Sequence, residues 1–243
     1  MVFTVFVALM SNQYFEFKRF RIEQESCSMK VGTDGVLLGA WFPLEAGMSV
    51  LDIGTGTGLI ALMAAQRGAG SVTAVEIDAD AADQARRNAA NSPWSSLIRV
   101  ECTDISDFTA VSGFDRIVCN PPFFRNSLRC PDAGRNTARH NDSLSFEKLS
   151  GRAAALLADG GLLCVVLPYD ASESFVKCAL AKGLNLCRKT DIITAPGKSP
   201  KRSLLAFTKQ NSGLETDVIC MYDSDGKESS EYVELVKNFY LKY

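Results

Sequence analysis

The chain has 243 residues, of which 47% are hydrophobic, and this is enough for one large α/β domain or two small ones. Its formal net charge of −2 neither favours nor excludes a polyanionic partner, so the local distribution of charge has to decide. The eight cysteines form no CxxC pair and there is one histidine, which argues against a metal site and indicates reduced, mostly buried thiols in a cytoplasmic protein.

The first segment, "MVFTVFVALM", is apolar, but it lacks a basic leader and is too short to span a membrane. No other apolar run approaches membrane length, so we expect a soluble protein without a membrane partner. Met10 is interpreted as the natural start, with residues 1–9 as an extension. The segment 14–24 alternates with period two and predicts a hairpin. We therefore expect an N-terminal extension and hairpin at 1–28 and a single domain at 29–243.

From Ser49 onward, short apolar runs alternate with amphipathic segments. We predict strands at 49–53, 71–77, 97–104, 114–120 and 162–168, and helices at 58–68, 78–91, 145–161 and shortly before 184. This alternation predicts a doubly wound, mostly parallel α/β sheet of seven strands. The last two predicted strands, 184–194 and 202–209, have no helix between them, so we expect an antiparallel strand at that edge.

The first predicted strand runs into the glycine-rich turn "LDIGTGTGLI" at 51–60. The turn contains three glycines, Gly54, Gly56 and Gly58. Glycines this close together are more typical of a turn whose backbone approaches a ligand than of an ordinary strand-to-helix turn. A dinucleotide fingerprint would need its third glycine at position 59, which is Leu59. The carboxylate of Asp52 would also repel a pyrophosphate. A cationic or zwitterionic ligand therefore suits the turn better than NAD.

Two further acids follow the next two strands. Glu76 stands where a carboxylate usually accepts hydrogen bonds from both hydroxyls of a ribose, with a solvated acid as the alternative. Asp104 could accept a hydrogen bond from an adenine amino group or cap its own loop. Because the carboxyl ends of parallel strands form the ligand-binding edge of open α/β sheets, we expect Asp52, Glu76 and Asp104 to lie near one site.

Together, "LDIGTGTG", "VEID" and "NPPF" resemble the motifs of class I S-adenosylmethionine-dependent methyltransferases, in the order and spacing of that family. The resemblance covers about residues 29 to 209. It implies that S-adenosylmethionine is the cofactor and that it contacts the glycine turn, Glu76, Ile77 and Asn120.

The turn Asn120–Pro121–Pro122–Phe123 then has a chemical purpose. A planar exocyclic amine is a poor nucleophile, and two fixed acceptors, the Asn120 side-chain oxygen and the Pro121 carbonyl, would hold it beside the donor methyl. The prolines keep the turn rigid. Phe123 offers a face on which a flipped-out base stacks. Within the family such turns serve adenine N6, guanine N2, cytosine N4 and glutamine amides, so the motif predicts a planar nitrogen acceptor; a purely structural turn is the alternative.

Two regions carry an excess of positive charge. The loop after the turn contains Arg125, Arg129, Arg135 and Arg139. The stretch 182–209 contains seven cations against one acid, and from it we select Lys198, Lys201 and Arg202 as RNA-binding residues. Such clustering in a protein of low net charge suggests a face that meets phosphates, with a solvated charged surface as the alternative.

The segments "FRIEQESCSMKVGTDGVLLGAW", "NPPFFRNSLRCPDAGRNTARH" and "GKSPKRSLLAF" resemble the bacterial enzymes that methylate N6 of adenosine 37, beside the anticodon of a valine tRNA. The ending "SSEYVELVKNFYLKY" also fits that family. The resemblance implies that Lys30, Thr33 and Asp34 lie near the cofactor and that tRNA is the partner. Phe123 departs from the family by replacing a frequent tyrosine, a change that preserves stacking.

The leading hypothesis is therefore a monomeric tRNA adenine-N6 methyltransferase. Its rivals are an enzyme for guanine N2 of ribosomal RNA or a release-factor glutamine, and a non-catalytic RNA-binding module. The arginine-rich loop disfavours a protein substrate, and the intact Asn120 and glycine turn disfavour the module. His140 is the only histidine. Because N6 transfer needs no general base, RNA contact or loop packing is favoured for it over catalysis.

Overall fold

The computed structural model describes residues 13–27, 29–122 and 144–243. Its first element is the predicted hairpin, in which β1 (Tyr14–Glu16) pairs antiparallel with β2 (Arg21–Glu23). Phe17, Phe20 and Ile22 of this hairpin are buried in the same hydrophobic core as the first helix. The hairpin thus packs on the main body, and the domain boundary at residue 28 stays a prediction.

The main body alternates strands and helices as the sequence predicts. The strands are β3 (Ser49–Ile53), β4 (Ser71–Glu76), β5 (Ile98–Cys102), β6 (Phe114–Cys119), β7 (Leu157–Pro168), β8 (Asn185–Ile193), β9 (Arg202–Thr208) and β10 (Glu215–Cys220). The helices are α1 (Thr33–Trp41), α2 (Leu59–Gln66), α3 (Ala79–Ala90), α4 (Phe146–Leu156), α5 (Ser172–Leu180) and α6 (Ser230–Val236), and a short 3₁₀ turn spans Tyr169–Ala171.

The predicted fold class is confirmed, but two details of the sheet differ from the expectation. In the described residues the sheet has eight strands, in the order β10-β8-β9-β7-β6-β3-β4-β5. The antiparallel strand β9 lies inside the sheet, and β10 forms the edge by pairing parallel with β8. The expected count of seven with an antiparallel edge was therefore wrong. The cause is β10, whose "ETDVIC" is largely exposed and lacks the apolar pattern that reveals a buried strand.

Helix α1 was also missed, because its nearly continuous apolar sequence carries no helical period. It packs very closely on α2: a Cβ on Gly39 would lie 2.5 Å from Met63 Sδ, so a larger residue there would force the Met63 side chain to move. Helices α1 and α2 cover one face of the sheet and α4 and α5 the other, each over its own hydrophobic cluster.

Strands β3, β4 and β6 position the site. Strand β3 pairs with β4 on one side and with β6 on the other, all parallel, so the chain order reverses beside β3. In open α/β sheets, ligands bind at such a reversal, outside the carboxyl ends of the strands. Among the helices that the structure describes, none is long and apolar enough to cross a lipid bilayer.

Candidate active site

Two adjoining cavities open at the carboxyl ends of β3, β4 and β6. The strand-end cavity, of about 290 Å³, is lined by Glu76, Ile77, Asp104 and Lys148 among others. The helix-start cavity, of about 390 Å³, lies at the beginning of α1 and α2 and is lined by Lys30, Thr33, Asp34 and Arg202 among others. Both share Met29, Gly54, Gly56 and Asn120. These four residues therefore mark the junction of one elongated site.

The glycine turn forms the floor of the junction. Gly54 and Gly56 have φ angles of +70° and +56°, a region that side-chain-bearing residues rarely adopt. The amides of Gly54 and Thr55 donate to the carbonyl of Val75, which ties the turn to β4. Gly58 lines neither cavity; its φ angle of +84° requires glycine, and a Cβ there would make only an ordinary contact with Ala85 at 3.5 Å.

Asp52 lies beneath this turn rather than in the cavities. Its side chain is 1% exposed, and its Oδ2 accepts hydrogen bonds from the Thr55 hydroxyl at 2.6 Å and the Ala61 amide at 3.2 Å. Burial raises the pKa of the Asp52 carboxyl to about 7. The structure therefore does not bring Asp52 to the cavity wall with the other predicted residues, and its position indicates that it holds the turn on α2.

Glu76 presents its carboxylate to the strand-end cavity in a fixed orientation. Oε2 accepts from the Gly56 amide at 2.9 Å, and Oε1 accepts from the amides of Ile77 and Asp78 at 3.0 and 3.1 Å. Among the residues that the structure describes, backbone donors hold the side chain, and its oxygens retain lone pairs. Ile77 lines the same cavity and is 53% exposed. A charged acceptor beside an apolar surface suits a sugar diol joined to a flat ring.

Asp104 lies in the same cavity, but it already has partners. Oδ2 pairs with Lys148 Nζ at 2.8 Å, and Oδ1 accepts from the Ser106 amide at 2.8 Å. These bonds, that from Lys148 above all, lower the pKa of the Asp104 carboxyl. The loop-capping alternative is therefore present in the structure, and contact with an adenine amino group stays a prediction. Lys148, from α4, is a cavity residue that the sequence analysis missed.

Asn120 follows β6 and lines both cavities. Its Nδ2 contacts Met29 Sδ at 3.9 Å, a weak interaction that leaves the amide available to a ligand. Pro121 is buried, whereas Pro122 is exposed and lines the strand-end cavity. The turn thus combines the buried Pro121 with the polar side chain of Asn120 at the junction of the two cavities. This arrangement agrees with the prediction that the turn positions an amine.

The helix-start cavity joins residues that were predicted for two different ligands. Asp34, predicted for the cofactor, pairs with Arg202, predicted for RNA: Oδ2 and Nε are 2.7 Å apart. Lys30 and Thr33 line the cavity beside them. Lys198 and Lys201 are exposed in the loop that precedes β9, whose first residue, Arg202, lines this cavity. Phe123, Arg125, Arg129, Arg135, Arg139 and His140 lie outside the described residues.

The site as a whole fits an adenosyl-amino-acid ligand. The strand-end cavity offers a carboxylate and an apolar side chain for a nucleoside, and the helix-start cavity offers charges of both signs for a zwitterion. The glycine backbone between them can approach a ligand closely.

Comparison with known proteins agrees with this geometry. A sequence model of the methyltransferase small domain matches residues 28–182. A tRNA1(Val) (adenine(37)-N6)-methyltransferase of Phocaeicola vulgatus is 51% identical, covering 96% of this chain and 99% of its own. The Bacteroides fragilis protein of the same name is 48% identical, covering 96% and 100%.

The solved structure of a predicted O-methyltransferase from Agrobacterium tumefaciens has the same fold. Its TM-score is 0.67 at 20% identity, and the match covers 85% of this chain and 96% of the other. The methyl donor of this fold and family is S-adenosylmethionine. The chain belongs to the methyltransferase small-domain family and, within it, to the family of tRNA1(Val) (adenine(37)-N6)-methyltransferases.

Proposed function

We propose that the protein transfers the methyl group of S-adenosylmethionine to N6 of adenosine 37 in a valine tRNA. The observation that carries the proposal is the place of Asn120 at the junction of the two cavities. An amide there can reach both the reactive centre of a ligand that fills the cavities and a base that enters beside it. The relatives whose printed name is that of this enzyme support the choice of substrate.

The residues present suit each part of the cofactor. Glu76 would accept hydrogen bonds from the ribose hydroxyls, and Ile77 would contact the adenine. Lys30, Thr33 and the first amides of α1 would bind the carboxylate of the amino acid portion, since helix N-termini favour anions. Asp34 would attract its ammonium group. When bound, the cofactor supplies an electrophilic methyl group on a sulfonium centre.

The remaining chemistry is positioning of the target amine. The Asn120 side-chain oxygen and the Pro121 carbonyl would each accept one N–H of the adenine amine and so direct its lone pair at the methyl. Phe123 would stack on the flipped base. The turn is fixed by Pro121, which is buried, so the two acceptors lose little freedom when the base binds.

The basic residues beside the cavity would bind the tRNA backbone. Lys198, Lys201 and Arg202 lie at the carboxyl edge of the sheet, on the side from which a base would enter. Arg125, Arg129, Arg135 and Arg139 are proposed to add to this surface. We further propose that the protein acts as a cytoplasmic monomer; the free thiols of all seven cysteines in the described ranges agree with a reducing compartment.

The proposal is tested by product identification. Purified protein is incubated with labelled S-adenosylmethionine and, in separate reactions, with total tRNA, ribosomal RNA or a release factor from a strain that lacks the gene, and the labelled nucleosides or residues are identified after digestion. We expect N6-methyladenosine, which a valine tRNA with guanosine at position 37 should not yield. Label in N2-methylguanosine of ribosomal RNA, or in a release-factor glutamine, would replace this proposal by one of the two rival enzymes.

A further inference from the structure

Tyr169 is an exposed aromatic residue at the carboxyl edge of the sheet. The proposed methyl transfer assigns it no role. Tyr169 directly follows β7, and its side chain is 43% exposed. Strand β7 neighbours β6, and Val165 of β7 pairs with Cys119, the last residue of β6. Since β7 continues through Pro168, it projects beyond the end of β6. Tyr169 therefore stands ~13 Å further along the strand direction than Cys119, at ~3.3 Å per residue.

The tyrosine is tied to the basic edge of the sheet. Its backbone amide donates to the carbonyl of Lys201 at 3.2 Å, and the preceding Pro168 pairs with Arg202 in the sheet. Lys189 Nζ lies 4.9 Å from the centre of the Tyr169 ring. The aromatic ring thus lies against one cation, Lys189, at a strand end whose partner in the sheet, Arg202, lines the helix-start cavity. Asp191 is an acid of this surface, and Lys189 pairs with it at 3.0 Å.

Such a combination matches the needs of an unpaired nucleotide. Sequence-specific RNA-binding proteins take bases out of loops and stack them on aromatic side chains, while cations bind the phosphates. When a target base is flipped into an active site, its neighbours lose a stacking partner. An aromatic ring at the rim of the pocket can replace that partner.

We propose that Tyr169 stacks on a base adjacent to the target adenosine, with Lys189 and Lys201 on the phosphates of that nucleotide. The inference rests on the proposed function, because it names a contact of the same RNA substrate. Tyr169 is a positioning residue in this scheme: it holds the anticodon loop and does not touch the reacting atoms. It also gives the enzyme a means to prefer a loop with a stackable neighbour over an isolated adenosine.

The first test compares Tyr169→Ala and Tyr169→Phe in single-turnover methylation of an anticodon stem-loop. Losing one base–aromatic stack should raise the RNA concentration for half-maximal rate roughly 10- to 100-fold, with the rate at saturating RNA unchanged. Tyr169→Phe should behave as wild type, since it keeps the ring. Affinity for S-adenosylmethionine should be equal in all three proteins.

The chain offers a matched control in Tyr14. It is 51% exposed and has Arg21 over its ring at 4.4 Å, but it lies in the N-terminal hairpin. Tyr14→Ala should leave methylation unchanged. If Tyr169→Ala behaves like Tyr14→Ala, or if Tyr169→Phe is as impaired as Tyr169→Ala, the ring does not stack on a base and the inference is overturned.

A second test removes the base instead of the ring. Stem-loops with an abasic site on either side of the adenosine are compared in wild type and Tyr169→Ala. At one of the two positions, removal of the base should raise the RNA concentration for half-maximal rate of the wild type as much as Tyr169→Ala does. The same abasic RNA should give no further increase with the variant, because the two changes remove the same contact. Full additivity at both positions would refute the stack. If wild type methylates the RNA normally in that case, the proposed function survives alone; if wild type leaves the RNA unmethylated, both proposals fail.

Discussion

Two hollow regions of the molecule differ in how their charged groups are used. The cavities at the carboxyl edge of the sheet measure about 290 and 390 Å³. A larger hollow of about 800 Å³, here called the rear groove, lies between the hairpin, the ends of α1 and α2, and α6; its cations are Lys18, Arg19, Arg67 and Arg188. Volume alone would assign the ligand to the rear groove.

The cations of the rear groove are engaged within the protein. Lys18 Nζ donates to the carbonyl of Lys237 at 2.8 Å, and Arg188 pairs with Asp217 at 3.1 Å. Arg67 donates to two backbone carbonyls at the end of α1. These contacts join the C-terminal segment and the helix ends to the main body, so the groove is built as a structural junction.

The site at the carboxyl edge shows the opposite arrangement. Within the described residues, Glu76 accepts hydrogen bonds from backbone amides, and the amide of Asn120 makes a long contact to a sulfur atom. Both side chains face cavities and retain hydrogen-bonding capacity. Available polar groups beside a glycine backbone of positive φ therefore distinguish the candidate active site from the rear groove better than cavity size does.

Asn120→Ala should reduce the rate of methylation more than Glu76→Gln or Arg67→Met. The change removes one of two preorganised acceptors for the reacting amine while leaving the glycine turn intact. Loss of such a hydrogen bond costs ~10²–10³ in rate, or ~3–4 kcal/mol. Single-turnover methylation at saturating tRNA and cofactor measures this step directly.

The matched control is Asn185→Ala. The Asn185 amide donates to the carbonyl of Gln210 at 3.2 Å, at the start of β8, and this variant should methylate at the wild-type rate. If Asn120→Ala also methylates at the wild-type rate, the Asn-Pro-Pro turn is only structural. The available polar groups would then not identify the carboxyl edge, rather than the rear groove, as the active site.

Glu76→Gln should have the next largest effect. It keeps the size of the side chain but removes the charge, and its new NH₂ group would face a backbone amide in place of an acceptor. Hydrogen bonds to charged groups contribute ~1.5–3 kcal/mol, so affinity for S-adenosylmethionine should fall about 10- to 100-fold by calorimetry. Glu101→Gln, which loses only an exposed ion pair with Arg99, should bind normally. Equal affinities in both variants would contradict ribose binding by Glu76.

The features of this site that the sequence could predict are those formed by residues close together in the chain. The glycine turn, Glu76 and Asn120 are local patterns at strand ends, and parallel strands bring such ends together. The pairs Lys148–Asp104 and Arg202–Asp34 join residues 44 and 168 positions apart. Because a single sequence does not indicate which distant charges meet, Lys148 was missed and Arg202 was assigned to RNA without its acidic partner.

The same limit applies to the fold. Apolar runs predicted the buried strands, since a strand covered on both faces is apolar throughout. The outer strand β10 is held by backbone pairing with β8, and its side chains leave no pattern to recognise. Within the glycine motif, the direction of the Asp52 side chain could not be predicted. The sequence places a carboxylate beside the turn, but the contact with α2 directs it away from the cavity.

Arg67→Met, in the rear groove, should have the smallest effect on catalysis and should instead reduce stability. The guanidinium donates to the carbonyls of Gly39 and Phe42 at 2.8 and 2.7 Å and lies 4.6 Å from the centre of the Phe42 ring. Burial lowers the pKa of Arg67 to about 10, so the group stays charged at neutral pH. Removing it leaves two carbonyls at a helix end unpaired, which should lower the free energy of unfolding by ~1–3 kcal/mol.

Urea denaturation measures this loss, and single-turnover methylation below the transition should give wild-type values. Arg99→Met is the matched control, because the Arg99 side chain is 78% exposed and forms an ion pair with Glu101, so its removal should cost less than ~1 kcal/mol. If Arg67→Met instead stays as stable as wild type but binds tRNA weakly, the rear groove is a second RNA surface. The contrast between its engaged cations and the available groups around Asn120 would then no longer separate structure from function.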